Sequence, residues 1–113
     1  MSSRYLERLN AEIGSAKTLF DADCLRARRA AYQARIGDFA GADADLATLQ
    51  TRYASRPRVA ISAWINLAEG LRSHYTDLGQ AARDKIQRAH ALSAAAGLAP
   101  IQALSAAWLA HLA

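Results

Sequence analysis

Apolar residues recur at a spacing of 40 along this chain of 113 residues, and that recurrence limits the fold more than any other property. Leu6, Leu46 and Ile86 form one series, Leu9, Leu49 and Ala89 a second, and Arg8 and Arg88 match across two periods. Around each series the apolar positions step by three and four. The segments are Leu6, Leu9, Ile13, Ala16 and Phe20, then Ala42, Leu46, Leu49 and Tyr53, then Ala82, Ile86, Ala89, Leu92 and Ala96. Such stepping puts one apolar face on each of three amphipathic helices. A fixed period of roughly 20 to 50 residues, with one helical hairpin per unit, implies an array in which each unit buries its faces against the next.

Two further helical stretches fill the intervals and a last one begins at Pro100. The expected second helices of the hairpins lie near 3–19, 41–54 and 80–96, and the first helices near 22–36, 58–75 and 100–113. Turn chemistry separates them: Gly37-Asp38, Arg56-Pro57 with proline at a first helical position, Thr76-Asp77 as an N-cap, and Gly97 ahead of Pro100. Composition agrees. Alanine, which gives up no side-chain entropy on entering a helix, supplies 28 residues against six glycines and two prolines. The fold expected is one all-α domain over 1–113, a right-handed α-solenoid of about three hairpins and six helices, read as a piece of a longer chain.

The intervening helices repeat as well. A polar stripe Ser62, Asn66, Glu69 and Ser73 has its counterpart 40 residues earlier in Ala22, Arg26, Arg29 and Gln33, and steps of four, three and four hold it on one helix face. In 22–36, Leu25, Tyr32 and Ile36 form a large apolar face and Ala27, Ala30, Ala31 and Ala34 a small one, as expected of a helix held between two neighbours. The stripe is the surface left for solvent.

Gly37-Asp38-Phe39 followed by Ala42, Leu46 and Leu49 resembles the turn and second helix of a tetratricopeptide repeat, and Asn66-Leu67-Ala68 looks like that family's first-helix Asn-Leu-Gly. Trp108-Leu109-Ala110 repeats it. The longer period, with Leu92-Ser93-Ala94-Ala95-Ala96-Gly97 closing a second helix, is similar to the variant repeats of bacterial LuxR-type regulators and repeat-bearing diguanylate cyclases. The resemblance implies a cytoplasmic bacterial signalling protein whose first helices line a concave groove for a peptide, a partner protein or a small anionic effector. Carried onto this chain, the groove residues are Arg26, Arg29, Gln33, Ser62, Asn66, Glu69 and Ser73. A 38-residue offset anchored on Gly37 brings in Arg28, Arg35, Ile65 and Arg72 instead. Arginines beside an amide and a carboxylate suit an acidic peptide, because guanidinium binds carboxylate through two parallel bonds. The competing reading has Arg29 and Glu69 pairing with each other across adjacent hairpins.

Catalytic and metal-binding patterns are missing. His74, His90 and His111 have no second ligand at helix spacing, and no Cys-x-x-Cys or glycine-rich phosphate loop occurs, so neither an enzyme nor a cofactor is expected. Asp21/Asp23 and Asp43/Asp45 stand two apart, which suits helix starts rather than paired acid and base. Cys24 is alone, excluding an internal disulfide, and reads as a small buried hydrophobe. The net charge of +4 is spread over opposite sides of the helices, with Arg26/Arg29 on one side and Arg28/Arg35 on the other, so nucleic acid is not the expected partner. No apolar run is long enough for a bilayer. The last helix is apolar nearly all round, from Ile101 to Leu112, and its Leu104, Trp108 and Leu112 are candidates for self-association.

Overall fold

The computed structural model describes residues 2–74 and 79–112. Among the described residues the chain is all-helical with no strand, in six helices: α1 (Ser2–Ser15), α2 (Leu19–Ile36), α3 (Phe39–Arg52), α4 (Val59–His74), α5 (Gly79–Ala96) and α6 (Ala99–Leu112). The expected number and order of helices are those observed. Tyr75 as the end of α4 and Thr76-Asp77 as an N-cap fall outside the described residues.

Two boundaries differ from expectation, and each has a local cause. Helix α1 stops at Ser15 because Thr18 caps the next helix, its Oγ1 accepting from the Asp21 N–H at 3.0 Å. Phe20 therefore belongs to α2, where the Arg58 guanidinium lies 3.9 Å from its ring centroid. Pro57 precedes α4 instead of opening it: Arg58 takes the cap position, its carbonyl accepting from the Ser62 N–H at 2.9 Å.

The glycine turns form as the sequence suggests. Gly37 and Gly97 adopt φ of +88° and +69°, the left-handed region in which a Cβ is strained. After each, the next residue's N–H reaches back five positions, Asp38 to the Gln33 carbonyl and Leu98 to the Ser93 carbonyl, both at 2.8 Å. This pattern satisfies carbonyls that a helix end leaves open. Asp38 then caps α3, its Oδ1 accepting from the Gly41 N–H at 3.0 Å.

The even helices pack side by side, α2 against α4 and α4 against α6. Helix α3 lies against α2 and α4, α5 against α4 and α6, and α1 against α2 alone. Among the described residues the odd helices do not touch one another, and α6 does not reach α1. Small residues permit the close approaches: Ala27, Ala30, Ala34, Ala63 and Ala68 are fully buried between helices. Gly70 is the tightest point, since a Cβ there would stand 2.5 Å from Ile86 Cγ1 and 3.1 Å from the Ala82 carbonyl oxygen. Leu9, Leu49 and Ala89, the matched series, are 2%, 0% and 0% exposed, so all three belong to the buried faces of their helices.

Polar contacts recur at the same offset. Arg29 on α2 binds Asn10 on α1 (3.0 Å) and Asp45 on α3 (2.7 Å). Forty residues on in each case, Glu69 on α4 binds Gln50 on α3 (2.7 Å) and Lys85 on α5 (3.0 Å), with the charges reversed. The Asp43–Arg72 pair at 3.1 Å likewise has its counterpart in Arg83 donating to the Leu112 carbonyl.

Candidate binding cleft

Helices α2, α4 and α6 leave a cleft of about 670 Å³ on the side away from α3 and α5. Arg28, Ala31, Tyr32 and Arg35 line it from α2, Trp64, Leu67 and Leu71 from α4, and Pro100, Leu104 and Trp108 from α6. Tyr5 of α1 closes one end, its ring centroid 4.7 Å from that of Tyr32. Both tryptophans of the chain are in this wall. An aromatic and aliphatic lining with a few polar groups, at a volume within roughly 300–1,000 Å³, is the usual make-up of a ligand pocket.

The lining contains arginine and no acid. The Arg28 guanidinium lies 5.4 Å from the Trp64 ring centroid, an attraction between a cation and the negative face of the indole. Arg35 is exposed near the C-terminal end of α2. Neither has a carboxylate partner among the described residues.

None of the seven residues expected in a partner groove lines this cleft. Arg26 is spent on Asp23, at 2.7 Å within α2. Arg29 binds Asp45 through Nε (2.8 Å) and Nη2 (2.7 Å), and the hydrogen bond to Asp45 keeps its proton on more firmly than usual, outweighing burial. Gln33 is buried, with its amide nitrogen turned toward the Gly41 carbonyl (3.1 Å) and Asp45 Oδ2 (3.0 Å). Asn66 donates back to the Ser62 carbonyl at 2.8 Å. Glu69 and Ser73 border a second depression of about 390 Å³ toward α3 and α5. Arg29 and Glu69 do not pair with each other; each engages the second helix of its own hairpin. Of the residues brought in by the 38-residue offset, Arg28 and Arg35 line the cleft. Arg72 instead stacks over Phe39, 4.2 Å from its centroid, and pairs with Asp43, while Ile65 packs against the core.

The self-association candidates divide. Leu104, 43% exposed, and Trp108 wall the cleft, whereas Leu112 is half-buried against the core. Ile101 and Ser105 form the buried side of α6, and Ser105 Oγ spends its proton on the Ile101 carbonyl at 2.7 Å. His74 and His111 flank Trp108 edge-on, with centroids 5.7 Å and 5.6 Å from it.

A buried carboxylate was harder to see from sequence. Asp23 is fully buried at the start of α2 and accepts from Arg26 and, through Oδ2, from Arg52 Nε (2.9 Å) and Tyr53 Oη (2.7 Å) at the end of α3. Burial, the hydrogen bond to Asp23 and its charge push the Tyr53 phenol up to about 12. The neighbouring Cys24 thiol is also pushed up, first by burial and then by Asp21, which favours the unreactive protonated form. Every buried polar side-chain atom among the described residues has a partner. No cluster of three His, Cys, Asp or Glu side chains suited to a metal occurs among them, and no described helix is long and apolar enough to cross a membrane. No protein-family description, curated protein sequence or solved structure matches this chain.

Proposed function

We propose that the chain is a non-catalytic interaction module, a tetratricopeptide-like solenoid that holds a segment of a partner protein in the cleft of α2, α4 and α6. The cleft carries this reading: it is large, walled by aromatic and aliphatic side chains, and furnished with two arginines that no carboxylate among the described residues neutralises. The solenoid part of the proposal is supported by contacts repeating at 40 residues and by the open succession of helices, α6 staying clear of α1. Signalling in a bacterial cytoplasm is the setting that the resemblance to LuxR-type regulators implies.

A second reading, a small anionic effector in the same cleft, is favoured by its volume, which suits a molecule of that size. Both tryptophans report on the cleft, so occupancy is measurable without a label. Peptides selected from a display library on the purified protein should shift tryptophan emission on titration and lose binding to Leu104→Asp, a change at a half-exposed cleft residue. Selected peptides that bind tightly, leave the emission unchanged and tolerate Leu104→Asp would place the partner site elsewhere.

A further inference from the structure

Charge is distributed between the two sides of the even helices in a way that composition does not reveal. On the side facing α3 and α5, cations are matched by acids: Arg26 and Arg52 by Asp23, Arg29 by Asp45, Arg72 by Asp43, and Lys85 by Glu69. On the cleft side Arg28 and Arg35 meet no acid among the described residues, and the wall around them is mostly apolar. An unpaired guanidinium beside an apolar surface costs little while water reaches it and gains a strong bond when a carboxylate arrives with water excluded.

We infer that the cleft recognises an acidic segment of a partner protein, with carboxylates at Arg28 and Arg35 and an apolar side chain between them against Trp64 and Trp108. The inference rests on the reading of the cleft as a partner site and names what that site selects. Its geometry is constrained. The arginines stand seven positions apart, about 10 Å along α2 at 1.5 Å per residue. Successive residues of an extended strand face opposite ways, and four of them advance about 13 Å, so carboxylates four positions apart share one face and come within reach of both arginine side chains.

The experiment compares two short fluorescein-labelled peptides of identical apolar pattern, one with glutamate and one with glutamine at two positions four apart. The glutamate peptide should bind at least about tenfold more tightly, with a preference that shrinks as salt is raised. Arg35→Gln, at an exposed residue with no acidic partner among the described residues, should remove about tenfold from the glutamate peptide and leave the glutamine peptide unchanged; Arg28→Gln should do the same. Equal binding of the two peptides with a retained tryptophan shift overturns the inference and leaves the cleft reading standing. If neither peptide shifts tryptophan emission and the display-selected peptides tolerate Leu104→Asp, the cleft reading itself falls. Saturable, arginine-dependent binding of benzoate without binding of either peptide overturns the peptide in favour of a small effector.

Discussion

Arg29 and Asp45 face each other in a two-bond ion pair, Nε to Oδ2 at 2.8 Å and Nη2 to Oδ1 at 2.7 Å, with their side chains 23% and 10% exposed. The pair forty residues further along, Glu69 with Lys85, has a single contact and side chains 26% and 43% exposed. Geometry and burial therefore rank the first pair well above the second. Asp45→Ala should cost about 2–3 kcal/mol, because it strands a half-buried guanidinium. Lys85→Ala should cost less than about 1 kcal/mol. Urea unfolding of the two variants checks the order; equal losses would mean that the bidentate geometry adds nothing.

The six helices were readable because they depend on periodic local signals: apolar steps of three and four, and glycines that must take positive φ. The opposed projection of Arg26/Arg29 and Arg28/Arg35 was also readable, since a helix fixes it. Which side holds the cleft was not. Polarity marked Ser62, Asn66, Glu69 and Ser73 as the outward stripe, yet Glu69 is satisfied by α3 and α5, and the α4 side chains that line the cleft are the largely buried Trp64, Leu67 and Leu71. A polar residue signals that it needs partners without saying whether they are water or another helix. Asp23 illustrates the same limit: Arg52 and Tyr53 reach it from about thirty positions away, and no local pattern encodes that meeting.

Tyr53 should reveal the buried Asp23 by its titration. Its phenol is pushed up to about 12 while an unperturbed tyrosine ionises near 10, so its neutral form is favoured by folding. The stability this supplies is complete below about pH 10 and is lost as pH rises toward about 12. In ultraviolet difference spectra Tyr53 should ionise late, and Tyr53→Phe should delete that late component. A late component that survives Tyr53→Phe would assign it to another residue.

Gly70 and Gly14 give opposite outcomes for one substitution. At Gly70 an added Cβ meets Ile86 Cγ1 at 2.5 Å, in the contact between α4 and α5, so Gly70→Ala should destabilise by about 1–3 kcal/mol. At Gly14, in α1, nothing lies within 4 Å of the added atom, and Gly14→Ala should stabilise by about 0.5–1 kcal/mol through helix propensity alone. Melting curves should move by several degrees in opposite directions. A neutral Gly70→Ala would mean that α4 and α5 separate at little cost.

Leu104 ties partner binding to the self-association expected of α6. Together with Trp108 it walls the cleft, so a second copy docking on these residues and a peptide entering the cleft compete for the same surface. Sedimentation velocity over a concentration series should show a mass rising above 12.2 kDa. A cleft-binding peptide should return it to the monomer value by mass action, since it binds the free form alone. Leu104→Asp should hold the chain monomeric at every concentration, because pairing would bury its charge against apolar side chains. Were the wild type to remain at the monomer mass throughout, self-association through α6 would be excluded; a peptide that binds the associated form without lowering its mass would show that the copies meet on another face.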